Sequence, residues 1–360
     1  MALRFALPVV NGRGSGLGNE MIPWAKAIIA GQALRIPALP PAWGANKRAY
    51  WRYFRSNRLD FVAHRLLRAG LPYLEFRESD LLPGRSLHDS VLAFAAREGL
   101  GDRLAYVLGF DGLWGGFDIL RDARLTLLQK LLSTRHTLDN LYALSRRLRP
   151  DALHVGVHIR RGDFGSAFDP ADFRARFNTA IPMDWYIAVA RRIAGHFGSR
   201  VQFVVGTDGT AADIEPFTRE FDCVTTLEET HRDVSDLLVL ARTDLMICSI
   251  SSFSCWAVFL NDSRYVWLAE NLTEMGGFRS IWGYEPGQQP PDGPTARARD
   301  TNARLVGTGE TLVPRGVAVD WSGSVPDDLL ADLEHRVRIR RRTTDLVLYG
   351  AIPATPSVAG

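Results

Sequence analysis

The residues best suited to chemistry stand together in the middle of the chain. His158-Ile-Arg160-Arg161-Gly162-Asp163 ends the alternating apolar run Leu153, Val155, Val157, Ile159. Alternation at period two reads as a buried strand, so this run delivers His158, Arg160 and Arg161 to its C-terminal edge. In open α/β sheets, ligands bind at that edge. Two adjacent guanidinium groups there point to a phosphate-bearing ligand, because the fork matches phosphate oxygens and stays charged. The competing reading is a strand end whose arginines are solvated or paired with surface carboxylates.

Further polar loops follow apolar runs. Residues 201–205 read as a strand ending in Gly206-Thr-Asp208-Gly209, and residues 245–248 as a strand ending in Ser249-Ile-Ser251-Ser252-Phe253-Ser254. Asp236 opens a helical pattern over 236–241. At the start of the chain, a strand over residues 5–10 runs into Asn11-Gly-Arg13-Gly-Ser-Gly16-Leu-Gly18-Asn19-Glu20. A helix then continues to about Leu34 on an apolar set that includes Ile22, Ala25, Ile28, Ile29 and Ala33. Strand, glycine loop and helix together can cradle an anion at the helix N-terminus. A tight turn serving close helix–strand packing explains the glycines equally well. No Gly-Lys-Ser/Thr follows, and glycines at every second residue do not make a dinucleotide fingerprint.

The elements that must position these residues alternate from residue 153 onward. The pattern predicts strand 153–159, helix 183–196, strand 201–205, helix 211–220, the helix from Asp236, strand 245–248, a helix from Cys255 and strand 265–268. That rhythm predicts α/β architecture with a parallel, Rossmann-like sheet. Residues 61–150 read as largely helical with a glycine-rich break at 109–116. Arg149-Pro150-Asp151 marks a boundary, since proline follows a helical pattern there. Residues 37–60 interleave arginines with Trp43, Tyr50, Trp51, Tyr53 and Phe54, which suits either a sugar-binding groove or a loop packed down on its aromatics. Residues 283–293 read as an irregular loop.

Composition limits the function classes. A chain of 360 residues predicts two domains, and 46% hydrophobic residues supply their cores. A net charge of +3 gives no footprint for bulk nucleic-acid binding. The local basic run Arg336-Val-Arg-Ile-Arg-Arg-Arg342 reads as a solvated face or a patch near a membrane surface. Three cysteines with no CxxC pair argue against a disulfide framework or structural zinc. With no leader and no spanning apolar run, the expectation is a soluble cytoplasmic protein, with peripheral contact at the inner membrane face left open. The sequon Asn271-Leu-Thr273 then carries no weight.

The ordered set of motifs resembles the superfamily of GDP-fucose-dependent fucosyltransferases: the α1,2-, α1,6- and protein O-fucosyltransferases. The His158-x-Arg160-Arg161-Gly162-Asp163 block looks like the α1,2 signature. The stretch from Asp236 through Asp244 to Cys248-Ser-Ile-Ser251-Ser252 is similar to the superfamily's third motif in spacing and residue type. Gly16-Leu-Gly18-Asn19 resembles the N-terminal start of α1,2-type enzymes. The resemblance covers roughly residues 5–30 and 150–270.

It implies a GT-B fold, two Rossmann-like domains facing a cleft, with an acceptor-side domain over 1–150 and a GDP-sugar domain over 151–310. Residues 311–360 are then a C-terminal extension, with packing back on the first domain left open. The implied partners are a GDP-sugar donor and a glycan acceptor, the reaction inverts the sugar carbon, and no metal or other cofactor is required. The absence of Asp-x-Asp agrees with the last point. Position by position, Arg160 would meet the β-phosphate and offset charge on the leaving GDP. His158 and Asp236 match nucleoside-contacting positions. Ser252 matches a phosphate-loop serine, with Ser251 and Phe253 beside it. Arg161 is implied to bind the donor beside Arg160, and Asp163 and Asp208 match family acidic positions, where bracing and direct roles both stay open. Arg13, Gly16, Gly18 and Asn19 would form the cleft glycine loop.

Two departures matter. Where the α1,6 enzymes carry a glutamate assigned as the base, this chain has Phe168, so Asp163, Asp169 and Asp172 are the candidates beside a path needing little base help. Glu20 replaces the glutamine of the α1,2 pattern. Donors other than GDP-fucose with the same GDP, and a non-catalytic sugar-nucleotide or glycan binder, are the alternatives.

Overall fold

A computed structural model describes residues 2–10, 15–43, 47–54, 57, 59–82, 85–162, 164–166, 179–260, 264–269 and 316–340. These residues form two compact α/β units. One holds the chain up to His136 together with Ser251–Leu260; the other holds Thr137–Ile250 and the described residues after 263.

The first unit opens with β1 (Leu3–Pro8) and α1 (Leu17–Leu34), followed by α2 (Asp60–Gly70), β2 (Tyr73–Phe76), α3 (Leu87–Arg97), β3 (Ala105–Phe110) and α4 (Arg124–Leu132). Its sheet has the order β1-β3-β2, with both pairings parallel. Helix α1 is buried on every side over residues 17–18 and 20–31, Glu20 and Lys26 included. Strands β2 and β3 correct the expectation of a largely helical stretch. Each is short, β2 carrying Glu75 between apolar residues and β3 an apolar run, and periodicity over so few residues does not separate a strand from a helix segment. The aromatic loop is also resolved in favour of packing. Trp43, Tyr50 and Tyr53 are buried, and Trp43 makes edge contacts with Tyr50 and Phe54.

The second unit begins with α5 (Thr137–Ser145) and β4 (Leu153–Ile159), then the short pair β5 (Gly165–Ser166) and β6 (Thr179–Ala180). It continues with α6 (Met183–Phe197), β7 (Val201–Thr207), α7 (Ala211–Thr218), β8 (Cys223–Thr225), α8 (Asp233–Ala241) and β9 (Leu245–Ile247). Helix α9 (Ser252–Leu260) is counted with the first unit, after which β10 (Arg264–Leu268), β11 (Gly316–Val319) and α10 (Asp327–Arg340) complete the second. The expected parallel sheet is present. Its order is β11-β10-β9-β4-β7-β8, and every pairing is parallel.

Renumbered by appearance within the sheet, that order is 3-2-1-4-5-6, the doubly wound arrangement. From β4 the chain winds outward through β7 and β8, then returns to β9 on the other side of β4. The switch point therefore lies between β4 and β9.

All seven residues of β4 are buried. Its odd residues Leu153, Val155, Val157 and Ile159 share one core cluster with Trp185, Tyr186, Val189 and Ile193 of α6. Its even residues take the opposite face. Gly156 lies where a Cβ would stand 2.6 Å from Thr243 Oγ1 and 2.9 Å from Met246 Sδ. Helix α10 sets Leu329, Leu330, Leu333 and Val337 into the core of the second unit. Among the described residues, no helix is long and apolar enough to cross a membrane.

Candidate active site

The sheet places His158 at the C-terminal end of β4 and Ser249 just past β9, one on each side of the switch point. His158 Nδ1 and Ser249 Oγ are 2.9 Å apart, across 91 residues of sequence. The phenol of Tyr186 donates to the His158 carbonyl at 3.2 Å. His158 is 3% exposed. Burial, helped by the Arg160 charge and opposed by Asp208, pushes its imidazole down to about 3. The ring is therefore neutral at ordinary pH, a hydrogen-bonding group and not a cation.

Arg160 leaves the end of the same strand and meets Asp208 from the end of β7, with Nη1 to Oδ2 at 2.8 Å. The two side chains are 12% and 22% exposed, so the pair is largely shielded from water. The Phe164 ring centre lies 5.1 Å from the Arg160 guanidinium carbon. The other Asp208 oxygen accepts the Arg161 backbone N–H at 2.8 Å. One carboxylate thus fixes both the Arg160 side chain and the turn that carries it. Gly162 is required in that turn, because a Cβ there would fall 2.2 Å from Asp208 Oδ2.

Arg161 takes the other direction. Its Nη1 donates to the carbonyls of Ile181 at 2.8 Å and Arg160 at 3.1 Å. Ile181 lies just before α6, so the neighbouring arginines part to the two faces as period-two alternation requires.

Asp236 sits one turn into α8, which starts three residues earlier than expected, at Asp233. Its Oδ2 accepts from Arg232 Nη1 at 2.7 Å, and Arg232 also reaches Thr226 Oγ1 at 3.2 Å. Its Oδ1 is buried, with no hydrogen-bond partner among the described residues. Burial outweighs the Arg232 partner and pushes the carboxyl up to about 8. Asn140 of α5 donates to Ser235 Oγ at 3.0 Å and to the Thr230 carbonyl at 2.9 Å, which anchors the start of this helix.

Ser251, Ser252 and Phe253 fall within the first unit with Gly16, Gly18 and Asn19. Helix α9 begins at Ser252, so the serine loop is shorter than the sequence suggested. Gly16 is the N-cap of α1, and its carbonyl accepts from Asn19 N at 3.1 Å. Gly18 packs against the start of α9. A Cβ there would stand 2.5 Å from Ser252 Oγ and 2.8 Å from Phe253 N. The Gly18 carbonyl accepts the Trp256 indole N–H at 2.7 Å, and Ser251 Oγ accepts Phe253 N–H at 3.2 Å. Two motifs more than 230 residues apart thus bring two helix N-termini together, an arrangement that favours anions.

Asp163, Asp169, Asp172 and Arg13 lie outside the described residues, as does the loop expected over 283–293. The sequence reasoning missed Ser249, Arg232, Thr226 and Asp213. Arg232 was findable as the i−4 partner of Asp236, and Asp213 as the last residue of a Thr-x-x-Asp cap. Among the described residues, no three His, Cys, Asp or Glu side chains are grouped to hold a metal ion.

This chain is similar to solved fucosyltransferase structures. Fucosyltransferase NodZ from Bradyrhizobium shares 16% identity at a TM-score of 0.45, with 72% of this chain and 94% of that one covered. An α1,6-fucosyltransferase NodZ soaked with GDP-fucose gives 16% identity and a TM-score of 0.43, over 72% and 93%. POFUT1 in complex with GDP gives 12% identity and a TM-score of 0.37, over 73% and 95%. No protein-family model matches the chain, and no curated protein sequence does.

Proposed function

We propose that this protein is an inverting, metal-independent glycosyltransferase that moves fucose from GDP-fucose to a hydroxyl of a glycan acceptor. The observation that carries the reading is the pairing of His158 with Ser249 and of Arg160 with Asp208 at the carboxyl ends of β4, β7 and β9. A doubly wound sheet binds its ligand there, and the residues presented belong to a His-x-Arg-Arg-Gly-Asp block of the fucosyltransferase kind.

In this reading the Arg160 guanidinium meets the β-phosphate. The acceptor oxygen attacks the anomeric carbon from the face opposite GDP, the carbon–oxygen bond to the β-phosphate breaks, and GDP leaves with that electron pair. The negative charge that grows on GDP strengthens its interaction with Arg160, so the group stabilises the transition state more than the ground state. Asp208 holds the guanidinium in place beforehand. The acceptor proton goes to a carboxylate, with Asp163 the candidate from the motif. Neutral His158 and the unsatisfied Asp236 Oδ1 supply hydrogen-bonding positions for the nucleoside, Asp236 facing the N–H edge of guanine.

The test is thermal stabilisation by GDP, GDP-fucose, GDP-mannose, UDP-glucose and a dTDP-sugar, in wild type and Arg160→Ala. Ligand at about 100 times its Kd stabilises by ~2.7 kcal/mol. Stabilisation by GDP and GDP-fucose that weakens in Arg160→Ala is expected. A stronger response to UDP- or dTDP-sugars would overturn the donor assignment. A stronger response to GDP-mannose than to GDP-fucose would redirect it to another GDP-sugar.

A further inference from the structure

A concavity of about 530 Å³ opens beside Arg161, wholly within the second unit. Its volume is in the range of small-molecule sites. Arg161, Phe164, Pro182, Asp208, Thr210 and Asp213 are among the residues that line it. The proposed function uses Arg160 and the even face of β4 and gives no role to this space, toward which the Ile181 carbonyl turns Arg161, a residue the resemblance implied at the donor.

The lining has a definite chemistry. Arg161 is pinned through Nη1, while its Nη2 and Nε donate to no described residue. Asp213 is fixed at Oδ2, which accepts from Thr210 N and Thr210 Oγ1, both at 2.7 Å. Those bonds hold its carboxyl below the usual range. Its Oδ1 accepts from no described residue. A donor fork and an ionised acceptor thus face one space, with Phe164 and Pro182 supplying apolar wall. Gly209 allows the approach, since a Cβ there would lie 2.8 Å from Asp213 Oδ2 and 2.9 Å from Arg161 Cβ.

The charges balance. Asp208 is taken by Arg160 and the Arg161 amide, and the Arg161 charge is offset by Asp213. An anion gains little in such a site. A neutral ring with several hydroxyls and an apolar C–H face gains on every wall: hydroxyl oxygens accept from the fork, hydroxyl hydrogens donate to the carboxylate, and the C–H face packs on the aromatic ring.

We infer that this concavity is a subsite for a neutral saccharide, the acceptor of the transfer. The inference rests on the transferase reading above. It follows because Asp208 both lines the concavity and touches Arg160, so a sugar held here stands beside the group assigned to the leaving phosphate. Asp213 and Arg161 are positioning residues in this account, and the split between acceptor and donor parameters is their signature.

The experiment uses saturation-transfer NMR on the full chain with GDP present. The probes are neutral di- and trisaccharides of galactose, mannose and N-acetylglucosamine, with a sialylated trisaccharide as the charged control. The same samples are scored for thermal stabilisation by GDP. The expected result is signal from a neutral saccharide, weakened about tenfold or more in Asp213→Asn and in Arg161→Lys, with the GDP shift retained in both. Arg161→Lys keeps the charge and the backbone bond to Asp208 while losing the fork, so it stands if Asp213→Asn fails to fold. Where transfer is measurable, acceptor KM rises and donor KM does not. Saccharide signal unchanged in both variants, signal from the charged control alone, or no signal with the GDP shift intact would overturn the inference while leaving the donor reading standing. Loss of the GDP shift in Arg161→Lys would assign that residue to the donor and overturn the inference too. Absence of the GDP shift in the wild type would instead remove the donor reading on which it rests.

Discussion

At the residue scale, three side chains matter most: Arg160, Asp208 and Asp236. Arg160 is cationic and prepositioned by Asp208. Arg160→Ala is expected to lower kcat by about 10²–10³, the cost of losing one preorganised charge-stabilising group. Asp208→Asn keeps shape but weakens the hold on the guanidinium, so its kcat is expected between wild type and Arg160→Ala. A deficit larger than that of Arg160→Ala would mean Asp208 acts directly.

Asp236 gives a pH dependence. Its carboxyl is raised to about 8, so at neutral pH the folded protein holds a proton that the guanine edge, a pair of N–H donors, does not want there. Nucleotide binding should therefore release that proton and tighten as pH rises toward 8, by up to tenfold per unit, and then level off above it. Calorimetric titration of GDP checks this, and a flat affinity across that window, or a slope that survives in Asp236→Asn, contradicts it.

At the element scale, β4 was fully legible and its consequences only partly so. Alternation of Val155, Val157 and Ile159 marked a strand buried on that face, and the same alternation already implied that Arg160 and Arg161 part company. What the sequence could not show was the partner across the sheet: Ser249 and Asp208 come from β9 and β7, and strand order is a non-local property. Strands β2 and β3 were hidden for a different reason. They are short runs of four and six residues within a region of helical periodicity, and the flanking Gly70, Pro72, Gly101 and Gly112 were the signals that could have marked them. The glycine loop was seen, but the need for Gly18 arises from Ser252, more than 230 residues away. Gly18→Ala is expected to destabilise the protein by about 1–3 kcal/mol, since the new Cβ meets backbone of α9 as well as a hydroxyl. Denaturant unfolding measures it. An unchanged midpoint would show that α1 and α9 are not packed this closely.

At the scale of the whole molecule, the two units carry opposite pH signatures. In the first unit, Lys26 of α1 is buried, donates to the Asp111 and Gly112 carbonyls at 3.0 and 3.1 Å, and lies 3.2 Å from the centre of the Trp114 ring. Burial drags its ammonium down to about 7. The unfolded chain then binds more protons than the folded one between about 7 and 10.5, so stability of this unit rises with pH across that window. In the second unit, the raised carboxyl of Asp236 works the other way. The folded state binds the extra proton, and the contribution is lost as pH rises toward 8. Hydrogen exchange read separately on β3 and β4, corrected for intrinsic rates, should show β3 gaining protection from pH 7 to 9. Lys26→Met should flatten that gain, and a flat wild-type profile would contradict the buried ammonium.

Release of GDP from GDP-fucose without acceptor, followed by chromatography in wild type, Arg160→Ala and Asp208→Asn, reads the role of Arg160 without the acceptor. The account predicts slow but measurable GDP and free fucose from the wild type, a rate lower by about 10²–10³ in Arg160→Ala, and an intermediate rate in Asp208→Asn. Equal rates in wild type and Arg160→Ala would contradict the role given to that arginine. GDP binding with no donor cleavage by any form would identify a binder of sugar nucleotides in place of a transferase.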